Sequence, residues 1–157
     1  MKLTKQTDYA FRILMFCAAG GSRLSRVADI AKAYGASEAF LFKILQRLVE
    51  GGTVETVRGR SGGIRLAKPA ASITLADVVR LTEDNLSVAD CDDNPESDCP
   101  LLENCRLTSA LIEAKRAFFA VLERYTIDDL AKPSAAVVNL LTQLEVETAK
   151  AAPSTGT

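Results

Sequence analysis

Residues 26–66, RVADIAKAYGASEAFLFKILQRLVEGGTVETVRGRSGGIRL, carry four elements whose order decides the fold. In 26–34, Val27, Ile30 and Ala31 recur at helical spacing, and Ser25 stands ahead of them as a predicted N-cap. Gly35-Ala36 predicts a tight turn, Ser37 the next cap, and 38–50 a second helix with Leu41, Ile44, Leu45 and Leu48 inward. Two short helices across a glycine-containing turn describe a helix-turn-helix, or any other helical hairpin. Gly51-Gly52 then stops the helix. Residues 53–57 read as a strand by their β-branched content, 58–63 as a turn, and 64–66 as the returning strand. Helix, helix, then a hairpin with a basic, glycine-rich tip is the order of a winged helix.

In that arrangement the second helix can enter the major groove with its N-terminal residues on base edges. The hairpin tip can lie along the phosphate backbone or in the minor groove, with Arg58 or Arg60 supplying charge. A solvated hairpin tip is the competing reading. A nucleotide-phosphate loop is not supported, because no Gly-Lys-Ser/Thr follows and no helix opens behind it.

Outward from this core, 4–19 reads as a helix with Ala10, Ile13, Leu14, Cys17 and Ala18 on one face, stopped by Gly20-Gly21. Cys17 is a small buried hydrophobe on this reading, with a further metal ligand as the alternative. Lys68-Pro69 breaks the chain. Thr74 caps a helix over 75–84, with Asp77 completing an approximate capping box. The longest helix spans 106–125, with Leu107, Leu111, Ala114, Phe118, Val121, Leu122 and Tyr125 as a broad apolar stripe. Beside a small DNA-binding unit such a helix serves dimerisation, or else it is buried within one subunit. Residues 126–130 form a short capped turn of helix, Pro133 interrupts, and 134–150 read as a marginal helix before a disordered end. The expected class is mainly α with a small β-hairpin. The organisation is a winged helix-turn-helix domain over 1–70, a cysteine loop and dimerisation helix over 71–132, and an extension over 133–157.

Between the last two long helices lie Cys91, Cys99 and Cys105, spaced C-x7-C-x5-C, with two prolines and no apolar periodicity. From Val88 to Cys105 the chain has six acids and no Lys or Arg. No signal peptide or membrane span is legible, so a cytoplasmic, reducing location is expected, where stable disulfides are rare. The sequence holds no histidine, which excludes Ser-His-Asp triads, Cys-His dyads and mixed Cys/His zinc sites. Structural zinc prefers four ligands in tightly spaced pairs. Three thiols with one oxygen donor suit an iron–sulfur cluster with one weakly held iron; zinc or a disulfide with a spare thiol are the alternatives. Residues 1–70 hold 12 Lys and Arg against 5 acids, and 71–157 hold 7 against 15, so a net charge of −1 conceals opposite halves. The basic half predicts a polyanionic partner. Nothing in the chain points to an active site, and no enzyme is expected.

These residues resemble the winged-helix iron–sulfur transcription regulators, the IscR/NsrR/RirA-like family, and among them most closely the iron-responsive RirA type. The likeness covers about residues 1–132. It rests on 1–10 (MKLTKQTDYA), the 57–63 wing (VRGRSGG), the run 41–46 (LFKILQ), and the three cysteines followed by a long helix. It implies a homodimer binding double-stranded promoter DNA as a repressor of iron-uptake genes. It also implies an iron–sulfur cluster, 4Fe–4S with 2Fe–2S as the alternative, on Cys91, Cys99 and Cys105. Members that use a histidine three residues after the last cysteine are not matched, since Thr108 stands there. Members that use an aspartate on the first helix of the other subunit match at Asp8, where RirA-like members tend to carry asparagine. The resemblance thus implies Asp8 of the partner subunit or else solvent as the fourth ligand; Asp8 is otherwise an early-turn acid favoured by the helix dipole. The resemblance implies DNA contacts at Ser37, Lys43, Arg58 and Arg60. A base-reading glutamate of some members is Phe42 here, which implies a different target sequence. Lys5, Arg26 and Arg47 are candidate phosphate contacts or ordinary solvated charges. Competing functions are nitric-oxide sensing of the NsrR type and a thiol- or zinc-dependent regulator on the same fold.

Overall fold

A computed structural model describes residues 2–59, 62–89, 92 and 105–132. Among them lie helices α1 (Lys5–Ala19), α2 (Val27–Tyr34) and α3 (Glu38–Glu50), then strands β1 (Val54–Val57) and β2 (Gly63–Leu66). A short 3-10 turn (Ala70–Ser72) leads to α4 (Leu75–Thr82), α5 (Arg106–Leu122) and α6 (Ile127–Ala131). The expected marginal helix and tail beyond Lys132 lie outside the described residues.

Helices α1 and α3 form the centre. Ala10, Ile13 and Leu14 of α1 meet Leu41, Ile44 and Leu48 of α3, all fully buried. Fully burying one such Leu or Ile contributes about 1.5–3 kcal/mol, so this seam is a large source of stability. Cys17 belongs to it: it is 1% exposed, and burial pushes its thiol up to about 11 against a smaller opposing hydrogen bond with Ser25. That removes Cys17 as a metal ligand.

Strands β1 and β2 pair antiparallel with Val54 opposite Leu66 and Val57 opposite Gly63. Arg65 and Glu55 form a cross-strand ion pair at 2.5 Å. Ser25 is a correction to the expected cap. Its amide and carbonyl both bond Ile64, at 2.9 Å each, adding a bridge to the hairpin's outer edge. Arg26 takes the N-cap position of α2 without a side-chain hydrogen bond. The tertiary bridge outcompetes a local cap.

The Thr74–Asp77 capping box is present on α4, and Thr126 with Asp129 makes a second on α6. Helix α4 ends at Thr82 rather than 84, because the next residues turn to other partners. Helix α5 ends at Leu122 rather than 125; the Tyr125 carbonyl instead accepts from the Leu75 amide at 3.0 Å. No residue of α5 is buried in the single chain.

Candidate nucleic-acid interface and metal centre

Helix α3 begins at Ser37, whose hydroxyl accepts from the Phe40 amide at 3.3 Å. With Leu41, Ile44, Leu45 and Leu48 committed to the core, the opposite face presents Glu38, Ala39, Phe42, Lys43 and Gln46 to solvent. Phe42 is 55% exposed. Lys5, in the first turn of α1, sits 5.6 Å from the centroids of both Tyr9 and Phe40. Its charge thus stands beside the N-terminal end of α3. Arg26 and Arg58 are exposed, at the start of α2 and on the wing. Arg60 lies outside the described residues.

Arg47 is placed differently. It donates to the Thr82 carbonyl at 3.1 Å and pairs with Asp84 at 2.7 Å, so its charge is turned towards α4.

Of the three loop cysteines, Cys91 and Cys99 lie outside the described residues. Cys105 is the N-cap of α5, its Sγ accepting from the Thr108 amide at 3.5 Å. Hydrogen bonds from Thr108, side chain first and backbone second, hold the Cys105 thiol below its usual range. A helix N-terminus favours thiolate, the form that ligates metals. The residue at 108 thus assists the cysteine.

Asp92 is one of the six acids of the cysteine loop. Lys115 of α5 donates to its carboxylate, and the Val88 amide adds a bond at 3.2 Å. The Lys115 hydrogen bond, ahead of the Val88 amide, holds Asp92 below the usual carboxylate range. One acid of the loop is therefore a tether to α5. The other five lie outside the described residues.

Asp8 projects from the first turn of α1, 54% exposed, and pairs with Arg12 at 2.8 Å. Arg12 in turn stacks over Tyr9, 4.9 Å from its centroid. Among the described residues no three Cys, Asp or Glu side chains converge on a metal-sized site. No helix among them is long and apolar enough to cross a membrane. Sequence reasoning missed the partners of Arg47, Asp92 and Glu83, since no local pattern signals a contact some 20–80 residues away.

A helix-turn-helix, a two-stranded wing and an exposed basic rim define a winged-helix transcription regulator. The chain belongs to the Rrf2 family, described as iron-dependent transcriptional regulators, whose pattern matches residues 3–133. It is 58% identical over 145 residues to Protein aau3 of Rhizobium meliloti, covering 92% of this chain and 94% of that one. It is 45% identical to the HTH-type transcriptional regulator NsrR of Geobacillus kaustophilus, covering 90% and 97%. Among solved structures it is similar to CymR, the global cysteine regulator of B. subtilis, with TM-score 0.68 and 25% identity over 83% of this chain and 96% of that one. It is also similar to IscR of T. potens, with TM-score 0.63 and 26% identity over 84% and 87%.

Proposed function

We propose that this regulator is an iron-responsive repressor of iron-uptake genes whose hold on DNA depends on an iron–sulfur cluster. The observation that carries this reading is Cys105, a helix-capping thiol held towards thiolate at the end of a three-cysteine loop. That donor chemistry fits the group: Cys91, Cys99 and Cys105 would hold it, 4Fe–4S with 2Fe–2S as the alternative. A bound cluster supplies a crosslink that iron shortage or oxidants remove.

The fourth position is offered to Asp8 of a second copy, which requires Asp8 to leave Arg12. A second copy is supported by α5. Leu107, Ala110, Ala114, Ala117 and Val121 recur at alternating spacings of three and four, and all are exposed, Leu107 by 68%. A 3-4-3-4 apolar seam is the pattern of helices that pack along their length, and small residues allow close approach. Such a dimer would carry two α3 helices about 34 Å apart, one turn of DNA, with Lys43, Lys5, Arg26, Arg58 and Arg60 facing phosphates and Ser37 at base edges. The chain's own work is then mechanical. Asp92 and Lys115 fasten the loop to α5, and α4 passes its position to α3.

Nitric-oxide sensing of the NsrR type is the second reading, favoured by the exposed Asp8 and by likeness to the Geobacillus NsrR. Protein purified without oxygen and assayed for visible absorbance and iron per chain tests the cluster. Colour and iron are expected in the wild type and lost in Cys105→Ser. Asp8→Ala is expected to keep the iron but shift the spectrum and shorten the cluster's lifetime. A colourless, iron-free wild type would leave only the winged-helix regulator.

A further inference from the structure

Three consecutive residues at the exit of α4 are each fastened to the DNA-binding helices. The Thr82 hydroxyl lies 2.8 Å from the Thr7 hydroxyl of α1, and Thr82 and Thr7 are both buried. Glu83 accepts from the Thr4 amide at 2.7 Å and from the Thr7 hydroxyl, closing the N-terminus of α1. Arg47, in the last turn of α3, takes the Thr82 carbonyl with Nη1 and Asp84 with Nη2. Beside it, Gly51 approaches Leu81 so closely that a Cβ there would stand 2.6 Å from Leu81 Cδ1. Asp84 is seven residues before Cys91. The chain entering the cysteine loop is thus clamped to both α1 and α3 at its first step.

A guanidinium engaged in this way is poorly suited to a phosphate. Two of its nitrogens are occupied, and the Asp84 carboxylate beside it offsets its charge and would repel a polyanion. We infer that Arg47 is a positioning residue for DNA reading. Through the Thr82 carbonyl and Asp84 it holds the recognition helix at the angle set by the segment that enters the cysteine loop. Its role as the relay of cluster state rests on the proposed function above; its role in setting α3 does not.

The test is a set of DNA-affinity titrations over several salt concentrations, using a duplex selected from a random pool by the wild-type protein. Each variant is measured with and without reconstituted cluster, and thermal melting confirms that it is folded. Arg47→Gln should weaken selected-duplex binding about tenfold, the scale of one charge-assisted hydrogen bond. Arg47→Lys should behave alike, because an ammonium cannot span both acceptors. Asp84→Asn should weaken binding about threefold, as expected of a largely exposed ion pair, even though it removes a negative charge. The double variant Arg47→Gln/Asp84→Asn should be no worse than Arg47→Gln alone. The salt slope should stay unchanged throughout.

A phosphate-contact role predicts the reverse. Arg47→Gln would lower the salt slope by about 1, Arg47→Lys would retain affinity, and Asp84→Asn would bind as well or better. Any of those outcomes overturns the inference. If the wild type binds equally with and without cluster, the proposed function fails while the variant pattern still decides the fate of Arg47.

Discussion

The thiol of Cys105 and the amide of Thr108 meet at 3.5 Å, so the last cysteine of the loop is also the cap of the long helix. A loop thiol and a helix cap share one atom. On the proposed function, metal binding at this sulfur would act directly on the first turn of α5.

This relationship sets the order of thiol reactivity. In metal-free Cys91→Ser/Cys99→Ser protein, Cys105 should alkylate with a midpoint below that of an ordinary thiol, because the thiolate is the nucleophile. Replacing Thr108 with Val should move the midpoint up. Cys17, held near 11 by burial, should stay unreactive until the protein unfolds. Iodoacetamide labelling against pH, read by mass spectrometry, checks both; a Cys105 midpoint at or above the ordinary thiol value contradicts the assignment.

Glu83 gives stability a pH dependence of predictable sign. Burial alone would raise its pKa, but hydrogen bonds from Thr7 and Thr4 outweigh that and hold it below the usual range. A depressed carboxyl stabilises the fold above its unfolded value and loses that contribution as pH falls through the folded one. Glu83→Gln should cost about 0.5–1 kcal/mol at pH 7 after allowance for solvent screening. The difference in melting temperature between wild type and variant should shrink below about pH 4.5. A gap that is constant or wider in acid contradicts this.

Much of the frame was legible along the chain, for a physical reason. Leu41, Ile44, Leu45 and Leu48 repeat at 3.6-residue spacing and face one core, so periodicity located α3 to the residue. The two capping boxes were local patterns, and both or their caps were readable. Ser25 misled because its backbone amide and carbonyl are committed to Ile64, a distant partner that no local pattern signals. Arg47 looked like a solvated charge because its partners are 35 and 37 positions away. The cysteine spacing was plain, yet spacing carries no geometry, and Cys91 and Cys99 lie outside the described residues.

Phe42 should read thymine. A phenyl ring offers no hydrogen bond, and the one apolar feature on major-groove base edges is the thymine 5-methyl group. Replacing single thymines by deoxyuridine in a selected duplex should weaken wild-type binding about fourfold at one or two positions, the value of burying one methyl group. Phe42→Ala should be indifferent to the same exchange. Equal loss in both proteins would place the methyl contact elsewhere.

The exposed seam of α5 should matter only to a dimer. Ala114→Glu and Ala117→Glu lie on solvent-exposed positions of the single chain, so folding should survive. Sedimentation velocity should show the wild type as a dimer and the double variant as a monomer. DNA affinity should fall with it, because one half-site is lost. A wild-type monomer, or a variant that remains dimeric, removes α5 as the joint.

On the proposed function, the state of the three sulfurs governs the grip on DNA. Its most direct measurement is fluorescence anisotropy of a labelled promoter duplex titrated with cluster-loaded protein, with the same protein after iron chelation, and with the Cys91→Ser/Cys99→Ser/Cys105→Ser variant. The loaded protein should bind at least about tenfold tighter than the other two, which should match each other. Three superimposable curves would contradict it.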